Sequence, residues 1–286
     1  MHPGIKYPII GGNWEKHKLK CKAPHLWRGC GLALPPFNIT EKKWLDTSGY
    51  RNHGTPTNGP TRVMTPYGRG LDFAFTADNH VVIEDSTLLT LADGDSATFL
   101  ALLRIDAVPD SHQSYLFDKG RHSSDAKHNY GVRVINASGI ADNWIPSFIY
   151  RNAPNTAWHR WNATNHLAVD QNFHLVAMTY TFGSGTSFKA YVDGVPVAGG
   201  WNLGNGNDAP ATSATDLWIG HTKDTFEIDG QLTMVSLSRR IWAPSEIAIF
   251  AADPLAMWTP RPLQIGLYAA PPTGVTGQYY RRLLAA

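Results

Sequence analysis

The sequence predicts an all-β fold: a two-sheet antiparallel jelly-roll sandwich with one short C-terminal helix and extended N- and C-terminal arms. Three observations carry this. Between residues 44 and 261, short β-branched and aromatic runs alternate with Gly, Asn, Asp and Pro clusters, the texture of strands and turns. One stretch in that span has helix punctuation: Pro244, then Ser-Glu-Ile-Ala-Ile-Phe-Ala-Ala, then a stop at Asp253-Pro254. Residues 1–43 and 262–286 are irregular, with Pro35-Pro36 in the first and Pro271-Pro272 in the second opposing any helix. The chain therefore divides into an N-terminal arm (1–43), a sandwich (44–261) and a C-terminal tail (262–286).

Taken in order, residues 71–75 and 80–84 read as two strands across a polar turn. Residues 98–105 are an almost continuous apolar run, as in a strand buried between two sheets. Shorter strands follow at 115–118, 130–135 and 147–150. The longest, 173–182 and 188–197, are joined by Gly183-Ser184-Gly185-Thr186, and the second contains the tight-turn pair Asp193-Gly194. Strands at 216–220 and 231–239 complete the set. Residues 141–165, rich in Asn, Trp and Pro, read as a long loop on one rim. No internal repeat interrupts this order.

Composition narrows the function classes. With 43% hydrophobic and 17% charged residues in 286, the chain is an ordinary globular protein. No run approaches the length of a membrane-spanning helix, and the first residues lack a charged segment followed by an apolar one, so neither a membrane partner nor a secretion signal is expected. Net charge is +2, and its basic residues gather between Glu15 and Arg28 and at Arg281-Arg282. That is not the continuous basic face of a nucleic-acid binder. Cys21 and Cys30 form no CxxC pair, and free thiols are expected.

Several motifs carry a resemblance to a known family. LDTSGYRNHGTPTNGP (45–60) looks like the opening of a laminin-G-like, concanavalin A-like lectin/glucanase domain, and YGRGLDFAFTADNHVVI (67–83) resembles its next strand pair. FHLVAMTYTFGSGTSFKAYVDGVPV (173–197) is similar to the family's central hairpin. Residues 217–261 match its closing strand, short helix and DPLAMWTPR exit. The opening and exit are most similar to versions in bacteriophage and prophage genes. The resemblance implies a concanavalin A-like sandwich displayed as a virion component, as head decoration, fibre or tail-associated protein.

The search for chemistry is largely negative. Glycosidases on this architecture resemble an E-x-D-x-x-E strand, in which period two directs the first carboxylates to one face. Here Glu227 and Asp229 begin the pattern, but Leu232 occupies the third position. No catalytic residue is assigned and no enzyme is expected. Many relatives hold Ca²⁺ at the rim through an Asp in the closing strand. Thr233 stands there, which leaves Asp46, Asp78 and Asp229 as candidate ligands. For glycan binding, rings that stack on sugar faces should sit beside polar groups. Trp144, Tyr150, Trp158 and Trp161, with Arg160, form the candidate set, and packing of a long loop is the competing reading. Trp14, Trp27, Tyr279, Tyr280, Arg281 and Arg282 give the arms rings and charges that a disordered tail lacks, so docking to a neighbouring subunit is expected there.

The sequence thus predicts a non-enzymatic bacteriophage virion protein. It would be made in the host cytoplasm, assembled as a homo-oligomer on the particle with other virion proteins, and able to bind glycans. A soluble or surface lectin with calcium-assisted sugar binding is the alternative, and a divergent glycoside hydrolase a more distant one.

Overall fold

The structure is a computed structural model that describes residues 18, 20–75, 77–108, 112–120, 127–136, 142–222 and 227–261. In chain order the first strands are β1 (Cys30–Leu34), β2 (Gly54–Thr57), β3 (Thr61–Thr65), β4 (Gly68–Phe73), β5 (His80–Ile83) and β6 (Ser96–Ala107). Next come β7 (Gln113–Lys119), β8 (Tyr130–Ile135), β9 (Asn143–Arg151), β10 (Trp158–Ala163), β11 (Leu167–Ala168) and β12 (Phe173–Thr181). The last are β13 (Lys189–Val192), β14 (Val195–Val197), β15 (Gly199–Leu203), β16 (Leu217–Ile219) and β17 (Asp229–Ser238), followed by helix α1 (Pro244–Ala252).

Two antiparallel sheets form the sandwich. One has eight strands in the order β14-β13-β12-β6-β17-β4-β3, with β1 also paired to β17. The other has nine, in the order β15-β10-β9-β8-β7-β16-β5-β2, with β11 beside β9. The hydrophobic core between them includes Phe99, Ala101, Leu103 and Ile105 of β6, facing Val132, Val134 and Phe148 of the second sheet. Successive strand residues point to opposite faces. The intervening Leu100 and Leu102 therefore point away from this core, and they join a second cluster with Leu175, Met234, Phe250 and Trp258.

That second cluster explains the unbroken apolar run in β6. At β6 the eight-stranded sheet is covered on both faces: by the other sheet on one side, and by α1 with the chain segments around it on the other. Such a strand has no polar face to present. Residues 20–23 run antiparallel to 256–261 across this outer layer, with Lys22 N donating to Thr259 O (2.8 Å) and Arg261 N to Lys20 O (2.8 Å). Trp27 is buried there, its Nε1 donating to the Met257 carbonyl (2.8 Å) and its ring edge-on to Trp258. Trp27 was expected to dock on a neighbouring subunit; it instead covers an apolar face of its own chain.

The N-terminal boundary shifts for a related reason. β1, placed within the arm at 1–43, is a fully buried strand whose residues Leu32, Ala33 and Leu34 pair with Leu237, Ser236 and Val235 of β17. A short CGLAL run carries too little pattern to reveal that partner. Cys21 and Cys30 are both free and buried, and burial pushes the Cys30 thiol up to about 12.

Local signals held where backbone chemistry is strict. Asp193 (φ 52°) and Gly194 (φ 81°) both take positive φ in the β13–β14 turn, as a type I′ hairpin demands. Helix α1 starts after Ala243, whose backbone N–H is capped by Glu246 Oε2 (2.8 Å), and that carboxylate also pairs with Arg240.

A pH dependence follows from the β12–β13 hairpin. His174 donates from Nδ1 to Asp193 (2.7 Å) and from Nε2 to Asp170 (3.0 Å). The Asp193 hydrogen bond is the largest of the effects that raise its pKa from 6.5 to about 9. The folded-state value lies above the unfolded one, so this stabilisation is fully present below about 6.5 and is lost as pH rises through about 9. Urea midpoints should fall across that window, and His174→Gln should flatten the slope; an unchanged slope in the variant would refute the assignment.

Candidate functional site

Residues 141–165 are not one loop. Asn143–Arg151 and Trp158–Ala163 are β9 and β10, paired in register from Trp158 opposite Arg151 to Asn162 opposite Ser147. Pro146 made this stretch read as irregular. It falls in β9 between the residues paired to β11 (143–144) and those paired to β10 (147–151), where a missing N–H is tolerated.

Strand parity then divides the candidate glycan residues. Trp144, Tyr150 and Trp161 point into the core and are buried. The Trp161 ring lies 4.6 Å from Phe188, and Tyr150 donates its hydroxyl to Asp208 O (2.9 Å). Burial drives the Tyr150 hydroxyl pKa upward. These three are packing residues, and their expected role at a sugar does not survive. Trp158 and Arg160 alternate with the inward His159 and Trp161, so they project from the opposite face of the sheet and are half-buried.

That outer face has a polar floor that spans four strands. Arg133 of β8 lies opposite Ser147 of β9 and Tyr115 of β7. Its Nε donates to Ser147 Oγ (3.0 Å) and its Nη1 to Gln113 Oε1. Ser147 Oγ donates onward to Asn162 Oδ1 of β10 (2.8 Å). The Arg133 guanidinium also lies over the Tyr115 ring at 5.7 Å. Further along, Asp118 and His128 form a buried pair (3.2 Å), and Thr222 donates to Asp118. Gly131 is required between them, because a Cβ there would approach His128 and Tyr115 to 2.7 Å.

Aromatic rings flank this floor. Trp158 is stacked under the Arg151 guanidinium at 4.8 Å and meets His128 edge-on. Toward the other edge, Trp218 of β16 stacks on His80 of β5 at 4.1 Å. His221 beside them contacts Asp78 (2.5 Å) and lies 3.6 Å from Glu227, whose buried Oε2 has no hydrogen-bond partner among the described residues. Half-buried rings beside amide, guanidinium and hydroxyl groups suit a polyhydroxylated ligand, since the rings stack on C–H faces while polar groups bond hydroxyls. Arg160 continues the row, donating from Nε to Asn202 Oδ1 of β15 (3.0 Å).

Of the five predicted glycan residues, Trp158 and Arg160 lie on this face. Tyr115, Asp118, Arg133, Ser147 and Trp218 were missed. One signal was present: in YGVRVI the apolar residues alternate with Gly131 and Arg133, which marks the second face of β8 as polar.

The candidate calcium ligands are dispersed. Asp46 accepts hydrogen bonds from Ala33 N, Ser48 N, Ser48 Oγ and Asn52 N, so its oxygens are already committed to the protein. Asp78 engages His221 and Asn58. Asp229 opens β17 in the other sheet, where burial and then Asp106 and Asp72 push its carboxyl above the usual carboxylate range. Among the described residues no group of three His, Cys, Asp or Glu side chains is placed to hold a metal. Trp14, Tyr279, Tyr280, Arg281 and Arg282 lie outside the described residues. No described helix is long and apolar enough to cross a membrane.

A lectin-like sandwich with one polar, aromatic-lined outer face is the class that fold and site define. The profile of the laminin-G family of the concanavalin A-like lectin/glucanases superfamily matches residues 75–248, and the chain belongs to that family. Comparison with curated proteins returns no match. Among solved structures, the binding domain of Paraclostridial mosquitocidal protein 1 is similar at 8% identity and TM-score 0.59, over 80% of this chain and 55% of that one. Trypanosoma rangeli sialidase with the inhibitor DANA is similar at 18% identity and TM-score 0.57, over 86% and 38%. A botulinum neurotoxin type C structure, whose cell entry depends upon interaction with two ganglioside molecules, is similar at 11% identity and TM-score 0.54, over 80% and 52%. The chain thus spans about half or less of each of these proteins, and the likeness is one of fold.

Parity yields a direct test. Trp161→Ala should lower unfolding free energy by about 3–5 kcal/mol, the usual loss for a buried Trp. Trp158→Ala, on the outer face, should cost about 1 kcal/mol or less, as substitutions away from the core do. Equal losses in denaturant titration would overturn the assignment of faces.

Proposed function

We propose that this chain is a non-catalytic carbohydrate-binding sandwich carried on a bacteriophage particle, and that the outer face of the nine-stranded sheet receives the glycan. The observation that carries the binding half is the hydrogen-bonded row of Gln113, Arg133, Ser147 and Asn162, which shares one face of the sheet with the half-buried Trp158 and Arg160. The ganglioside dependence of the botulinum neurotoxin type C relative supports a sugar as ligand for this architecture. The non-catalytic half rests on β17: Leu232, where a third carboxylate would stand, is fully buried in the core between the sheets. Hydrolysis needs an acid and a second carboxylate across the glycosidic bond.

The particle assignment rests on the resemblance of the 45–60 and 253–261 motifs to phage versions. The docking role falls to Trp14, Tyr279, Tyr280, Arg281 and Arg282, with other virion proteins and further copies of the chain as partners. Removal of residues 262–286 should leave β-rich circular dichroism intact while abolishing incorporation into particles; full occupancy of the truncated chain would end the docking role.

A glycan array should show selective binding by the full chain. Trp158→Ala should weaken it by about 1–3 kcal/mol, the value of one buried ring. Arg160→Ala should weaken it less. An array without signal, or signal indifferent to Trp158→Ala, would remove this face from consideration. Turnover of a β-glucan abolished by Glu227→Gln would make the protein an enzyme instead.

A further inference from the structure

The 45–60 motif contains a feature that folding alone does not use. Asp46 gathers the backbone N–H groups of Ser48 and Asn52 and the Ser48 hydroxyl onto one buried carboxylate, while Asp46 N donates to His53 Nδ1 (2.9 Å). Asn52 Nδ2 ties the loop to Gly31 O (2.8 Å). The loop is thereby fixed, yet its tip offers little to the core: Tyr50 is 58% exposed, and Arg51 is exposed with a left-handed backbone (φ 62°). A non-glycine residue rarely holds that conformation without a surrounding frame that imposes it.

This tip faces the segment after β5. The two chains meet because β2 and β5 pair antiparallel, Gly54 opposite Ile83, which brings the loop before β2 to the same sheet end as the loop after β5. Between them lies a cleft of about 440 Å³ lined by Lys43, Tyr50, Arg51, His53, Glu84 and Ser86, among others. That volume is within the range of small-ligand sites, about 300–1,000 Å³.

The charge of the cleft selects the ligand. The side chains of Lys43 and Arg51 pair with no carboxylate among the described residues. Asp85 is engaged by the buried Lys119 ammonium, so its charge is neutralised from below. Burial holds His53 below its usual range against the opposing pull of Asp46, and its Nδ1 accepts from Asp46 N. Glu84 remains as a single acceptor for hydroxyls. Two unpaired cations, one carboxylate and an exposed ring in a fixed loop match a ring-shaped, hydroxylated anion.

We propose that this cleft is a second binding site, for an anionic sugar bearing a carboxylate or a sulfate. Arg51 and Lys43 take the anion, the Tyr50 ring covers a C–H face, and Glu84 accepts from hydroxyls. The site lies at the β2–β5 edge of the nine-stranded sheet, away from Trp158 at the β10 end. It therefore stands even if the outer face binds nothing.

The full chain titrated with methyl glucuronide, sulfated N-acetylglucosamine and methyl glucoside, followed by ligand-observed NMR, tests this. One or both charged sugars should bind in a salt-sensitive manner and the neutral glucoside should not. Binding of the glucuronide alone identifies a carboxylate ligand, and of the sulfated sugar alone a sulfate ligand. Arg51→Asn keeps a residue tolerant of positive φ while removing the charge. It and Lys43→Gln should each weaken binding about tenfold, the worth of one charge-assisted hydrogen bond. Trp158→Ala should leave it unchanged. Failure of both charged sugars to bind, equal binding of the glucoside, indifference to Arg51→Asn, or equal loss in Trp158→Ala would each overturn the proposal.

Discussion

β6 and β17 lie side by side at the centre of the eight-stranded sheet, and each sends apolar side chains both into the core between the sheets and into the outer layer. From β6, Phe99, Ala101 and Leu103 enter the core between the sheets, while Leu100 and Leu102 enter the layer under α1 and the N-terminal segment. Each such aliphatic side chain is worth about 1.5–3 kcal/mol when removed from water. The consequence reaches beyond stability. With β6 enclosed on both faces, the proposed glycan surface falls on the outer face and rims of the other sheet.

The second sheet accommodates that task by a different kind of burial. Arg133 is 1% exposed, and an isolated guanidinium there would be intolerable. It is held instead by Ser147, Gln113 and the Tyr115 ring, with Ser147 bonded on to Asn162. A network of this sort rigidifies what it satisfies, because leaving one member unbonded costs more than the bond itself supplies. The floor therefore fixes the spacing of β7, β8, β9 and β10 from the outer side, as Val132 and Phe148 fix it from the core side.

Much of this was legible from the chain. YGVRVI and the Asp193-Gly194 turn declare themselves by period and by backbone chemistry, and Pro244 with Glu246 marks a helix start that the structure places within a residue. The failures share one cause, a partner remote in sequence. β1 is a strand because β17 lies beside it, some two hundred positions away along the chain. The aromatic segment at 141–165 read as a loop because its Pro and Asn residues are turn formers in isolation. Only pairing with β8 and β15 shows that Pro146 and Asn162 belong to strands. Asp46 was misread for another reason: a buried carboxylate can serve a cation or a set of N–H groups, and composition does not distinguish the two.

The aromatic residues of β9 and β10 show how far pleat geometry alone settles which side chains reach the surface. Trp158, Arg160 and Asn162 are separated from His159, Trp161 and Ala163 by nothing but parity. In β10 the inward set includes Trp161, packed on Phe188, and the outward set includes Asn162, which accepts from Ser147 of the network built on Arg133. Shifting the register by one residue would exchange them, placing Arg160 in the core and Trp161 in solvent. Such a shift is opposed at both strand edges, by Trp161 opposite Trp201 of β15 and by Phe148 of β9. The same core contacts that hold the fold thus specify which tryptophan reaches the outer face, and a mutation that loosens the Trp161 packing reaches that face through β10 itself.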